Sequence, residues 1–261
     1  MTAESAMIDV HEVARTFTVS KRVGPLRRER RVVHAVRDLS FTVAAGDFVG
    51  YLGPNGAGKS TTIKMLTGIL APTGGRVRVA GLDPARRRTA LARRIGVVFG
   101  QRTTLWWDLP LTDSFELVRH LYKVDRVAFR KRLDELTELL GLDAFLRTPV
   151  RQLSLGQRMR GDITAALLHD PEVLILDEPT IGLDVVSKAA MRGFLGSLNA
   201  ERGTTVLLTT HDMGDIERLC RRVMLIDHGR LAFDGTVEDL RATAPEESSI
   251  EDVVARLYTG Q

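Results

Sequence analysis

Gly53-Pro54-Asn55-Gly56-Ala57-Gly58-Lys59-Ser60-Thr61 fits the pattern G-x-x-x-x-G-K-[ST] in every position. The pattern is a phosphate-binding loop, and each residue type has a physical task. Glycines let successive backbone N–H groups turn inward and cradle the β- and γ-phosphates of a nucleotide. Lys59 adds a point charge there, and the Ser60 hydroxyl is suited to hold Mg²⁺. The flanks agree. Residues 47–52 read as a buried strand entering the loop. Residues 60–70 read as the helix leaving it, with Ile63, Leu66 and Ile69 or Leu70 at apolar helical spacing. The positive end of that helix points at the phosphates. A glycine-rich turn that matched by chance would lack both flanks.

Around this loop the bulk properties are those of an ordinary globular protein. The chain has 261 residues, of which 44% are hydrophobic and 27% charged, enough for one large α/β domain or a core with a smaller lobe. No apolar run approaches the roughly 18–20 residues needed to cross a bilayer. Residues 1–4 show no basic start leading into an apolar segment, so no secretory signal is expected. The single cysteine, Cys220, excludes a disulfide framework and points to a reducing compartment. Its apolar neighbours Ile216, Leu219 and Val223 make it a small core residue rather than a reactive thiol. The net charge of +4 is uneven. One cluster holds Lys21, Arg22, Arg27, Arg28, Arg30 and Arg31, and another Arg86, Arg87, Arg88, Arg93 and Arg94. Each reads either as a solvated face or as a surface for anionic headgroups or nucleic acid.

Periodicity orders the rest. Residues 8–19, 39–43, 76–80 and 95–99 read as strands, and the basic stretch 19–32 as a loop or insertion. Residues 112–140 are helical in pattern. Asp113 and Glu116 make a capping box there, and a second run from Arg126 stops at Gly141. A helix follows Ser154 and ends near Asp170-Pro171. Three short apolar runs come next, 173–176, 205–208 and 223–226, separated by helical stretches. Buried parallel strands read this way, and ligands bind at their C-terminal ends. Asp177, Glu178 and His211 stand at those ends.

The chemistry of these residues follows from the company they keep. Two acids after a strand can be a helix N-cap pair. Beside a phosphate loop, Asp177 suits the Mg²⁺ shell opposite Ser60, and Glu178 suits a general base polarising the attacking water. His211 reads either as a satisfied loop histidine or as a γ-phosphate sensor. Ser154 is a good helix N-cap, yet Leu153-Ser154-Leu155-Gly156-Gln157 also resembles the signature motif of ATP-binding-cassette (ABC) ATPases. In order, the chain carries the phosphate loop, Gln101 after a strand, this signature, Asp177-Glu178, Gly182-Leu183-Asp184 and His211. The resemblance extends over residues 7–236.

The resemblance implies a P-loop NTPase (RecA-like) α/β core with an antiparallel β subdomain and an inserted helical subdomain. Its parts would be 1–98 (β subdomain and phosphate-loop half of the core), 99–157 (helical subdomain with Q-loop and signature), 158–236 (second half of the core) and a helical tail 237–261. It implies ATP hydrolysis with Mg²⁺ held by Ser60, Gln101 and Asp177. Phe17 would stack on adenine. Ser154, Gly156 and Gln157 would touch the ATP of a second copy, Asp184 would sit at the seam of that homodimer, and His211 would be the switch histidine. Leu155 stands where the family usually has glycine, and the basic insertion follows Phe17.

A single cassette with a compact lobe between Gln101 and Ser154 resembles the ATPase subunit of a transporter, and bacterial exporter-type subunits in particular. These pair with separate membrane permeases, and the chain would lie at the cytoplasmic side of the inner membrane. The alternative is a non-transport ABC ATPase acting on nucleic acid or in macromolecular assembly. Trp106 and Trp107 follow the Q-loop, and one of them is expected in the core of the lobe. Together they could also line a groove for a permease coupling helix.

Overall fold

The computed structural model describes residues 6–22, 28–100, 102–243 and 250–259. The chain divides into two units, one of residues 1–44, 51–88 and 222–261, the other of residues 45–50 and 89–221.

In the first unit, β1 (Ala6–Arg22), β2 (Arg28–Ala44) and β4 (Gly74–Val79) form an antiparallel sheet in the order β2-β1-β4. Ile8 faces Val43, Val10 faces Phe41 and Val13 faces Leu39, all of them buried. The strands continue well past this core. Phe17 pairs with Val33, Val19 with Arg31 and Lys21 with Glu29. The described part of 19–32 is therefore a β-ribbon and not the loop expected from its charge; residues 23–27 lie outside the described residues. Charge hid the alternation: Thr16, Thr18, Ser20 and the Val32-Val33 pair suit cross-strand contacts, which stabilise a ribbon with no core beneath it.

The same unit carries α1 (Lys59–Leu66), the hairpin of β8 (Arg222–Asp227) and β9 (Arg230–Thr236), and two terminal helices, α8 (Val237–Ala242) and α9 (Ile250–Thr259). α1 is shorter than its apolar spacing predicts. Gly68 turns left-handed at φ +74, and a Cβ there would lie 2.5 Å from the Pro84 carbonyl oxygen, so the chain must leave the helix. The Leu70 amide then donates back to the Lys64 carbonyl at 2.8 Å.

In the second unit, β5 (Ile95–Phe99), β6 (Val173–Asp177) and β7 (Thr205–Thr209) run parallel, and the start of β3 (Phe48–Leu52) adds to β7, giving the order β5-β6-β7-β3. Residues 173–176 and 205–209 are buried throughout, which is why their sequences are continuous apolar or threonine runs. The helices are α2 (Arg88–Ala92), which begins at the unit boundary, α3 (Leu111–Tyr122), α4 (Arg126–Leu140), α5 (Leu155–Leu167), α6 (Val185–Arg202) and α7 (Met213–Leu219). Gly141 ends α4 in the left-handed conformation, as expected. Asp113 and Glu116 form no capping box: Pro110 is the N-cap of α3, so Asp113 sits inside the first turn, and Glu116 pairs with Arg119 at 2.7 Å. Cys220 is buried, and burial pushes its thiol well above the usual range.

Neither tryptophan is in the core. Trp106 is 42% and Trp107 50% exposed. Leu105, Leu111 and Phe115 take the buried positions, and a Cβ on Gly161 would meet Leu111 at 2.8 Å and Leu105 at 3.0 Å. Trp107 instead carries the Arg158 guanidinium 5.6 Å above its ring.

Candidate functional site

The phosphate loop is built by close backbone approaches that only glycine permits. A Cβ on Gly53 would lie 2.5 Å from the Ile226 carbonyl oxygen, and one on Gly58, at φ +110, would lie 2.5 Å from that of Ala35. The Gly229 amide braces the loop by donating to Ala57 O at 2.9 Å. Gly58 is the N-cap of α1 and supplies no side-chain cap, so the first turn presents its amides to an anion. Lys59 is buried, and its ammonium donates to the Gly53 carbonyl and, at 3.2 Å, to that of Pro54. A buried ammonium at the start of a helix that has no side-chain cap offers the chemistry a phosphate takes. The Thr62 hydroxyl donates to Gly58 O at 3.2 Å and accepts from the Tyr51 phenol at 3.2 Å. Ser60 is exposed and Thr61 half-buried. Phe17 lies on β1, half-buried, with the Arg15 guanidinium 4.6 Å from its ring centroid.

In the other unit, the parallel register brings the acids to one edge. Asp177 pairs with Phe99 on one side and Thr209 on the other. The Thr209 hydroxyl donates to Asp177 Oδ1 at 2.6 Å, and the Glu178 amide donates to the Thr209 carbonyl at 2.9 Å. Glu178 turns out of the strand at φ +55, unusual for a residue with a side chain. That turn is crowded: a Cβ on Gly100 would collide with the Glu178 carbonyl oxygen, and the Gly100 amide donates to Asp177 O at 2.7 Å. The turn delivers the Glu178 carboxylate to His211, whose Nε2 is 3.1 Å from Oε1. Carboxylate and hydroxyl oxygens of the kind Asp177 and Ser60 carry are the donors a hard divalent cation takes. Gln101 lies outside the described residues.

The signature residues and Asp184 sit at the starts of two helices. Ser154 caps α5: its hydroxyl accepts from the Gln157 amide at 3.2 Å, and the Gln157 side-chain oxygen accepts from the Ser154 amide at 2.9 Å. Asp184 caps α6, taking the Ser187 amide at 2.9 Å and the Ser187 hydroxyl at 2.6 Å, which together hold its carboxyl below the usual range. The two helix starts touch. Leu155 leans over Gly182, where a Cβ would meet its Cδ2 at 2.7 Å, and a Cβ on Gly156 would meet Ser187 Oγ at 3.2 Å. Leu155 thus fills the space beside a glycine at φ +69.

Sequence reading missed Thr209, which fixes the Asp177 carboxylate. Its one signal was a threonine at the C-terminal end of the strand Thr205–Thr209.

Residues 36–181 match the family model described as ABC transporter, more than half of the chain. The chain belongs to the ABC transporter family. It is an ATP-binding subunit, and its activity is ATP hydrolysis. It is similar to the ABC transporter ATP-binding protein NatA of Bacillus subtilis (strain 168), at 33% identity over 89% of this chain and 94% of NatA. It is also similar to the Nod factor export ATP-binding protein I of Paraburkholderia xenovorans (strain LB400), at 41% identity over 80% of this chain and 68% of that protein. Among solved structures, it resembles a dimeric post-hydrolysis state of an ATP-binding cassette bound to ADP and Pi, with a TM-score of 0.73, 27% identity and coverage of 88% and 99% of the two chains. The parallel core strands of one unit and the antiparallel sheet of the other are both elements of the ABC ATPase fold. Among the described residues no helix is long and apolar enough to cross a membrane.

Proposed function

We propose that this chain powers a separate membrane permease as the ATPase of an exporter, working as a homodimer at the cytoplasmic face of the inner membrane. The observation that carries the chemical part is the Glu178–His211 pair at 3.1 Å, beside an Asp177 fixed by Thr209. Lys59 and the amides of residues 53–61 bind the β- and γ-phosphates, and Phe17 stacks on adenine. Ser60, Asp177 and Gln101 would hold Mg²⁺, and the ion would supply charge neutralisation to the phosphates. Glu178 takes a proton from the water that attacks the γ-phosphorus. His211, whose Nε2 lies 3.1 Å from Glu178 Oε1, contacts the γ-phosphate.

A second copy completes the site. Ser154, Gly156 and Gln157 of that copy meet the γ-phosphate at the start of α5, where helix amides already favour an anion. Asp184 lies at the seam. Support comes from the surface around it: Val185 is 84% and Val186 78% exposed, apolar side chains that a symmetric partner would cover. ATP binding closes the pair, closure shifts the permease, and hydrolysis reopens it. The outward direction rests on the likeness to the Nod factor export protein. The exposed Trp106 and Trp107 offer the permease an aromatic anchor. The experiment is to compare ATPase activity with detergent-solubilised permease and with DNA. Stimulation by the permease alone is the expected result; stimulation by DNA alone would refute the transport role.

A further inference from the structure

Asp215, on α7, is 0% exposed, and no role above uses it. Burying a carboxylate is costly unless it is paired and fully hydrogen-bonded. Its Oδ1 accepts from Arg192 Nε at 2.5 Å. Its Oδ2 accepts from two hydroxyls, Thr180 at 2.5 Å and Thr210 at 2.9 Å. Thr180 is two residues beyond Glu178, and Thr210 immediately precedes His211. One oxygen atom therefore grips both backbone arms that carry the Glu178–His211 pair. The grip extends to α6. Asp212, next after His211, accepts from Lys188 at 2.6 Å and Arg192 at 3.0 Å, and its amide donates to Thr210 Oγ1 at 3.0 Å. Both basic residues belong to the helix that Asp184 caps.

We propose that Asp215 is a positioning residue for hydrolysis: with Thr180 and Thr210 it sets the distance between Glu178 and His211, and through Arg192 it ties that distance to the helix beginning at Asp184. The proposal rests on the reading of Glu178 and His211 as hydrolytic residues. Its cost and its placement argue against a packing role alone, because an apolar side chain would fill the same space without the desolvation penalty.

The test replaces the hydroxyls and leaves the carboxylate in place. Thr180→Val with Thr210→Val keeps the side-chain shape and removes both donors; Thr180→Ser with Thr210→Ser keeps them. The valine pair is expected to lose about 10-fold to 100-fold in kcat, the range a small misplacement of reacting groups produces. ADP affinity by calorimetry should stay within about twofold, since Lys59 and the phosphate loop are untouched. The serine pair should recover most of the lost kcat. Rates are expressed per ADP-binding site, so a partly unfolded sample does not mimic the effect. Wild-type kcat per site in the valine pair, with only a lowered Tm, would overturn the proposal and leave Asp215 a structural residue. Glu178→Gln is run alongside: if it turns over normally, the hydrolytic reading itself fails, a result distinct from an active valine pair beside a dead Glu178→Gln.

Discussion

At the scale of residues, the proposed chemistry depends on a few atoms. Lys59 is the clearest case on the phosphate side. Lys59→Ala removes the buried ammonium from the loop, and ATP affinity by calorimetry is expected to fall at least about tenfold, the loss of one charge-assisted contact; unchanged affinity would contradict the loop's role. On the acidic side, Gly100→Ala forces a methyl against the Glu178 carbonyl. It should lower kcat while leaving nucleotide affinity in place, measured by steady-state ATPase and ADP titration. The loop, Asp177, Glu178 and His211 were legible in sequence because each is a local pattern: a glycine-lysine motif, or a charged residue ending an apolar run. Gly100, Thr209 and Asp215 were not. Their importance comes from parallel strand register and from side chains far apart in sequence, which no local spacing encodes.

At the scale of elements, helix starts do much of the work. Ser154 has a capping role in the folded chain whatever else it touches, so Ser154→Ala should cost about 1 kcal/mol of stability by chemical denaturation. The α5 helix also carries Asp162, whose Oδ1 accepts from the Thr104 amide at 2.9 Å and the Thr103 hydroxyl at 2.9 Å, tying α5 to the segment after Gln101. Burial raises the Asp162 carboxyl above the ordinary carboxylate value, against the pull of those hydrogen bonds. The folded chain then holds that proton to higher pH than the unfolded chain. The Asp162 contribution to stability therefore falls as pH rises through the interval between the two values. Asp162→Asn keeps the accepting oxygen without the charge. Its Tm relative to wild type should be more favourable at pH 7 than at pH 4, and an equal difference at both pH values would contradict this. Element reading from sequence failed where charge or turn chemistry masked periodicity. The ribbon in the described part of 19–32 was hidden by charge, and the α3 start was misplaced because Pro110, and not an acid, caps the helix.

At the scale of the whole molecule, half a site on each copy is the central idea. Opposed copies would bury Val185 and Val186 beside Asp184, so Val185→Glu should weaken ATP-dependent dimerisation while leaving ADP affinity of the monomer unchanged, read by sedimentation and calorimetry. The most direct measurement uses Glu178→Gln, with mass by light scattering and phosphate release followed together in MgATP. The expected result is a stable dimer with ATP retained and turnover reduced about 10²-fold to 10⁴-fold, the contribution of a general base. A monomer in saturating MgATP, or turnover near that of the wild type, would contradict it.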